Sequence, residues 1–450
     1  MSVSSELCLA WLLTRGADRL ERRRAALTAL GAAVATGFAC AALALASVRG
    51  QVWFPYGNGL LDQPGTRQGV VVALLLLLVP VLGFLGQCAR IGAVHRDRRL
   101  AGLRLSGAGP KQVRRIAALE AGVACLAGTL GGGVVFAAAV LGLGRAVDPL
   151  AWLGVAFVVL AMPVLGALVS AVALRRVIAS PLGHVRRERA GRGPGPVLGL
   201  LVPVLLVVLG AGLLVSLGSL GTLASLPLFV VGAVVLSGTG AVWVAGTSAR
   251  IIGRRLAPRT ERPAVLLAAH RLQEDAWSAA RSHAAVILVT VFGVGVAGIR
   301  EIMLGQLAAN AAETGEPQNV GYYTYGLNLT AVAVLIALLI GLSALAVGTG
   351  ESLSSRRRAL AAQSAAGVPR RTLTRALLLE TGLPLAPALV LATVGGTAVH
   401  TAYATLAHQP VPWALPLLVP AGVYAACLLA AATVLPLLRR STHPSHLRTA

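Results

Sequence analysis

The chain alternates between long apolar stretches and short basic segments. Eight long stretches contain no Asp, Glu, Lys or Arg, namely residues 25–48, 68–89, 121–144, 149–174, 193–249, 282–299, 317–350 and 381–438. A membrane-spanning helix needs about 20 mainly apolar residues. Two of the stretches are too long for one span, and each contains a break, near 216–227 and between 400 and 412. The pattern therefore predicts ten spanning helices, since barrel strands would alternate with a period of two.

The basic residues indicate an orientation for these spans. With the N-terminus inside, all but four of the 39 Lys and Arg residues fall in predicted cytoplasmic segments. The exceptions are Arg49, Arg67, Arg145 and Arg300. Because basic loops stay on the cytoplasmic side, both termini are predicted to be cytoplasmic in a bacterial plasma membrane. This distribution accounts for the net charge of +23 without a nucleic-acid partner.

Composition supports a protein embedded in lipid and indicates no chemistry of its own. Apolar residues make up 56% of the chain and charged residues 12%, with a mean hydropathy of +0.79, whereas soluble domains carry about 25% charged residues. Lys111 is the only lysine, and it lies outside any G-x-x-x-x-G-K-[ST] phosphate-binding loop. The five cysteines are scattered and read as packing residues. We therefore predict no catalytic, cofactor-binding or metal-ligating residue.

Two glycine-rich patterns and a tyrosine cluster have alternative interpretations. Gly293-x-Gly295-x-x-Gly298 matches a dinucleotide fingerprint by letter, but it lies within an apolar span, as does Gly128-x-x-x-Gly132. Close helix packing is the favoured interpretation of both. The tyrosines at 322, 323 and 325 precede a span, where they would anchor it at the membrane interface or contact a ligand.

Two predicted cytoplasmic loops repeat each other at a constant offset of 260 residues. This offset superposes Arg98 on Arg358, Gly107 on Gly367 and Glu120 on Glu380. Each loop predicts a short helix, a glycine turn at positive φ, and a basic amphipathic lead into the next span. Each of the two acidic residues lies at the cytoplasmic start of a span, where snorkelling or pairing with a nearby Arg is favoured over a role in transport.

Basic amphipathic stretches at 11–24 and 266–281 also resemble each other, and each leads into a span as an interfacial elbow helix would. The fold class predicted is thus an all-α polytopic membrane protein with two parallel four-helix repeats, spans 1–4 and 7–10, separated by two helices. The predicted segments are an elbow (1–24), the first repeat (25–176), a linker with spans 5 and 6 (177–249), a linker with the second elbow (250–281), the second repeat (282–440) and a cytoplasmic tail (441–450).

The repeated loops resemble the signature of the FtsX-like (MacB-type) permease family, the membrane subunits of a class of ABC transporters. The resemblance rests on Arg96 through Ala108 to Glu120, and again on Glu351 through Val368 to Glu380. It covers residues 68–176 and 328–440. It implies that both loops are coupling helices that dock on a separate cytoplasmic ABC ATPase dimer, which binds ATP and Mg²⁺. The residues so implied are Arg96, Arg98, Arg99, Arg104, Gly107, Lys111, Arg356, Arg357, Arg358, Gly367, Arg370 and Arg371.

Ten spans in two repeats are similar to the bacitracin-type peptide-resistance permeases. The large extracellular domain of those proteins has no counterpart, because residues 302–327 form a short outer segment. The resemblance implies a permease subunit that exports or displaces an amphipathic lipid or antimicrobial peptide. The alternative is an ATP-driven regulatory scaffold that signals to a sensor kinase or a cell-wall enzyme without moving a substrate.

Overall fold

The computed structural model describes residues 19–54, 61–62, 64–88, 107–142, 149–174, 226–314 and 320–441. No strand occurs among these residues, which form twelve α-helices and one short 3-10 helix. The α-helices are α1 (Arg19–Ser47), α2 (Pro64–Cys88), α3 (Pro110–Gly142), α4 (Pro149–Leu174), α5 (Leu226–Leu256), α6 (Pro263–Glu274), α7 (Ala276–Thr314), α8 (Val320–Ser355), α9 (Arg357–Ala365), α10 (Arg370–Leu406), α11 (Ala414–Ala432) and α12 (Leu435–Ser441). The predicted all-α class is confirmed for this part of the chain.

Several of these helices are suited to crossing a membrane. Within the described part of the chain, six segments are long and apolar enough: Ala25–Ser47, Ala118–Gly142, Ser282–Glu313, Gly321–Ser354, Arg370–Thr405 and Ala414–Leu438. The chain is therefore a multi-pass membrane protein, as predicted. The predicted fifth span lies outside the described residues, so the total of ten stays a prediction.

The exposed apolar side chains of α8 fit a lipid environment. On α8, Leu329, Val332, Leu335 and Leu339 are exposed, and their spacing of three and four residues places them on one face. Such a large apolar stripe would be unfavourable in water. A bilayer would cover it, so the exposed face of α8 is lipid-facing.

The chain forms two compact units. In the first, Met1–Arg187, α1 packs against α2, α3 and α4. A β-carbon at Gly132 of α3 would lie 2.5 Å from the Ala33 carbonyl oxygen of α1, and one at Gly128 would overlap the backbone of Ala29. The predicted packing role of this glycine pair is confirmed, because only glycine permits such close backbone approach.

In the second unit, Glu188–Ala450, α7 and α10 pack against each other and both pack against α5. A β-carbon at Gly396 of α10 would lie 2.6 Å from the Val291 carbonyl oxygen of α7. The interior between these helices includes many small side chains, among them Ala241, Ala245, Ala280, Ala388 and Ala392. Close backbone packing thus makes α5, α7 and α10 the core of this unit.

The predicted outer segment 302–327 is mostly helical. Its first part continues α7 to Thr314, and its last part lies in α8, which begins at Val320. Helix α7 has 39 residues, which corresponds to about 58 Å at 1.5 Å per residue. The hydrocarbon core of a bilayer is about 30 Å thick, so α7 extends well beyond it. Tyr322 and Tyr323 lie in the first turn of α8, where their rings meet edge to face at 5.0 Å.

Candidate docking surface at the basic end

One end of the second unit carries most of its described arginines, and we call it the basic end. Short helix α9 lies there and is followed by a tight turn into α10. Gly367 has a φ of +85°, and it donates its N–H to Ser364 O at 3.1 Å, while Val368 donates to Gln363 O at 3.1 Å. This pair of hydrogen bonds is a Schellman motif, which requires the left-handed conformation at the glycine. The predicted positive φ is confirmed.

Pro369 then starts α10. Its φ of −63° and ψ of 142° make it the N-cap, and its carbonyl accepts hydrogen bonds from Thr372 N at 3.0 Å and Leu373 N at 3.3 Å. Proline suits this place because its fixed φ is compatible with a helix start and it has no N–H to leave unpaired. The sequence Gly-Val-Pro therefore ends one helix and begins the next within three residues.

An apolar cluster fixes α9 to the body of the unit. Leu360 of α9 is buried, and the cluster also contains Leu353, Leu373, Leu377, Val434 and Leu438. Val368, just after the turn glycine, packs against the same cluster. Helices α8, α9, α10 and α12 are thus joined at one point, and α9 is held as part of the unit rather than as a loose loop.

The opposite face of α9 is exposed and consists mainly of small side chains. Ala359, Ala362, Ala365 and Ala366 are exposed, as is Gly367. Small side chains allow another backbone to approach closely. Arg358, Arg370 and Arg371 are also exposed and border this face. We call this surface, comprising the exposed residues between Arg358 and Arg371, the docking surface.

Arg356 and Glu380 join the start of α9 to α10. The Arg356 Nη1 lies 3.0 Å from Glu380 Oε1, and each side chain is 22% exposed. Glu380 therefore pairs with a nearby arginine, as predicted. Arg356 was predicted to contact the ATPase. Its guanidinium is directed instead to an acid of its own chain, while its docking role stays a prediction.

Arg271 of α6 completes this charged group, and nothing in the sequence singled it out. Burial lowers the pKa of the Arg271 guanidinium, and the positive charge of Arg356 lowers it further, while Glu380 and Glu274 raise it. Arg271 therefore lies within electrostatic reach of both members of the Arg356–Glu380 pair. The amphipathic pattern of 266–281 predicted an elbow, but no local signal indicated which of its arginines would face α10.

The second predicted elbow is divided between two helices at Asp275, whose φ of −136° and ψ of 59° interrupt the helix. Helix α6 packs against the end of α5, which continues as far as Leu256. Gln273 Nε2 donates to Gly253 O at 2.8 Å, and a β-carbon at Gly253 would lie 2.6 Å from Ala269 O. The elbow is therefore attached both to α5 and, through Arg271, to the charged group near α9.

Part of the first predicted loop can be compared with the second. Gly107 has a φ of +96°, and α3 begins three residues later at Pro110, as α10 begins three residues after Gly367. Lys111 lies in the first turn of α3, and Glu120 is buried further along it. The remaining predicted contacts of this loop, Arg96, Arg98, Arg99 and Arg104, lie outside the described residues.

Comparison with known proteins finds a family match for the region that carries the docking surface. No curated protein matches the chain. A family model described as the FtsX-like permease C-terminal domain matches residues 331–443, about a quarter of the chain. The match begins within α8 and includes α9, the Gly367 turn, Glu380 and α11. Over this region the chain is similar to the FtsX-like permease family, which comprises membrane subunits of ABC transporters.

Proposed function

We propose that this protein couples ATP hydrolysis by a separate cytoplasmic ABC ATPase dimer to the export or displacement of an amphipathic molecule, such as a lipid or an antimicrobial peptide. The observation that carries the proposal is the rigid mounting of α9. Its exposed face is small and basic, whereas its buried face is fixed by Leu360 and by the turn at Gly367. The family match includes this element.

Helix α10 supplies the path by which movement at α9 would reach the rest of the unit. It runs for 37 residues from the Gly367 turn to Leu406, about 55 Å at 1.5 Å per residue. It packs against α5, α6, α7 and α11 along the way. Pro384 and Pro387 interrupt its hydrogen bonding and allow it to bend there. A displacement of α9 would thus move the first turns of α10 with it.

The orientation and the second docking loop follow from the same proposal. An ATPase has to bind from the cytoplasm, so the basic end faces inward and both termini are cytoplasmic. Residues 96–111 would provide the second contact, which one ATPase dimer could engage together with α9. The equivalent turn glycines Gly107 and Gly367 support two related loops within a ten-span, two-repeat chain.

The test is co-purification of ATPase activity with the tagged full-length chain from its own host in a mild detergent. Ala362→Trp places a large ring on the exposed face of α9, and the double reversal Arg370→Glu, Arg371→Glu inverts its charge. Both changes are at exposed positions, so folding should be retained while the co-purified activity falls at least tenfold. The matched control is Arg254→Glu, Arg255→Glu, which makes the same charge change at exposed positions at the end of α5.

The proposed docking surface would be overturned if equal ATPase activity co-purified with the parent protein, the two docking-surface variants and the control variant. Once the complex is in hand, ATP-dependent movement of a fluorescent phospholipid in proteoliposomes distinguishes transport from the alternative function. ATPase coupling without such movement of lipid or peptide would favour a regulatory scaffold that signals to a sensor kinase or cell-wall enzyme.

A further inference from the structure

A cavity of about 570 Å³ lies in the first unit, between the end of α1 and the start of α2. Its walls include the apolar side chains of Leu45, Val48 and Val71. Two cationic side chains, Arg49 and Arg67, also line it. They are two of the four basic residues that the sequence pattern placed outside the cytoplasmic segments. The cavity therefore combines an apolar wall with two positive charges, at the end of this unit remote from the basic start of α1.

Arg67 is built into the cavity wall. It is only 4% exposed, and its guanidinium donates to Gly50 O at 2.8 Å and to Leu61 O at 3.2 Å. Both acceptors are neutral carbonyls. They hold the side chain in position without neutralising its charge, and burying a charge without a partner is unfavourable. Positioned guanidinium groups bind phosphates and carboxylates through paired hydrogen bonds.

The neighbouring acid is used elsewhere. The Asp62 Oδ1 accepts a hydrogen bond from the backbone N–H of Phe54 at 2.8 Å. Within the described part of the chain Arg67 has no carboxylate within ion-pair distance. Arg49 lies at the exposed rim of the same cavity. An anion that entered past Arg49 would meet both guanidinium groups, and Arg67 is not already ion-paired with a described acid.

We propose that this cavity binds the phosphate headgroup of an anionic lipid, with the first part of its acyl chains against Leu45, Val48 and Val71. Its volume lies within the range of about 300–1,000 Å³ of small-ligand sites. The apolar wall favours an amphiphile over a free anion, since inorganic phosphate would leave that wall unoccupied. The idea that the bound lipid is transported or sensed rests on the proposed function. Lipid binding to the cavity itself requires no ATPase.

The experiment is calorimetric titration of the purified full-length chain in dodecyl maltoside with three probes. They are dioctanoyl phosphatidic acid, dioctanoyl phosphatidylcholine with the same chains, and inorganic phosphate. Phosphatidic acid should bind at least tenfold more tightly than either of the others. Arg67→Gln should weaken its binding by about tenfold or more, as expected for loss of a charge-assisted hydrogen bond. Arg49→Gln should weaken it by a smaller factor, because this side chain is exposed.

Arg49→Gln also keeps the test decisive if loss of the buried Arg67 prevents folding. The control is Arg300→Gln, which removes a positive charge from α7, outside the cavity, and should leave binding unchanged. Equal affinity for the two lipids, or unchanged affinity in the variants that fold, would overturn the proposal. So would inorganic phosphate that binds as tightly as phosphatidic acid, since the site would then accept a free anion. Selective lipid binding without any co-purifying ATPase would support the site and contradict the proposed function. A co-purifying ATPase without selective lipid binding would support the proposed function and contradict the site.

Discussion

Arg356, at the residue before α9, and Glu380, in the third turn of α10, form an ion pair of 3.0 Å across the Gly367 turn. The pair links the start of α9 directly to α10, so α9 is attached by a charge contact as well as by Leu360. Arg271 adds a second positive charge beside it. With two guanidinium groups near one carboxylate, Glu380 is the member whose removal should matter most.

Glu380→Gln should uncouple α9 from α10 with only a small loss of stability. The side chains are 22% exposed, and ion pairs in such partly solvated positions contribute about 1 kcal/mol or less. We expect a slightly lower midpoint of thermal unfolding in detergent. We also expect a larger loss in the extent to which this protein stimulates its partner ATPase in the reconstituted complex. The two measurements separate a coupling role from a folding role.

Glu261→Gln is the control for this change, because Glu261 is exposed at the same basic end and forms no part of the charged group. It should be neutral in both assays. A double-mutant cycle with Arg356→Gln should show that most of the effect is shared by the pair. Full ATPase stimulation in Glu380→Gln would contradict the proposed coupling.

Gly367→Ala should destabilise the docking surface by about 1–2 kcal/mol, because a φ of +85° is unfavourable for a residue with a β-carbon. No atom lies within 4 Å of the position that this β-carbon would occupy, so backbone strain is the only expected cause. Gly367→Asn should cost less, since asparagine accepts the left-handed conformation more readily. Thermal unfolding of the parent, Gly367→Asn and Gly367→Ala gives their order of stability. An alanine variant as stable as the parent would contradict the prediction.

Gly107→Ala tests whether the two loops are related. Gly107 has a φ of +96° with open space around it, so the loss of stability should be similar to that of Gly367→Ala. Gly109→Ala is the matched control, because that glycine also faces open space and lacks a positive φ. If Gly107→Ala behaves like Gly109→Ala, the first turn does not depend on the left-handed conformation and the proposed equivalence of the loops loses its support.

Local signals account for the parts of the fold that could be predicted. Uninterrupted apolar stretches predict spanning helices because length and composition alone determine whether a helix suits a bilayer. Glycine followed by proline, as in Gly367 and Pro369, predicts a helix end because few other residues accept those dihedral angles. The same reasoning located Glu380 beside basic residues, and the observed ion pair agrees.

Contacts between distant segments could not be predicted in this way. The position of Arg271 near Arg356 depends on how α6 packs against α10, and no residue of α6 encodes that alone. The two hydrogen bonds of Arg67 likewise depend on where the chain passes after α1. The pattern identified Arg67 only as an exception to the charge asymmetry. The helical continuation of α7 beyond its apolar span was not predicted either, because the uninterrupted apolar stretch ends at residue 299.

Gly298→Ala should be strongly destabilising, although it only adds a methyl group. A β-carbon at this position of α7 would overlap the imidazole ring of His400 on α10. His400 is fully buried, so its ring cannot move aside without displacing α10. Overpacking of this kind typically costs about 1–3 kcal/mol.

Gly305→Ala is the control for this change. It lies seven residues further along α7, where a β-carbon would meet nothing within 4 Å, and it should be neutral or slightly stabilising, because alanine favours helix. Addition of His400→Ala should restore part of the loss in Gly298→Ala, because it removes the ring that the added methyl group would overlap. Thermal unfolding in detergent measures all four proteins, and equal effects of the two glycine changes would show that α7 and α10 do not approach each other at Gly298.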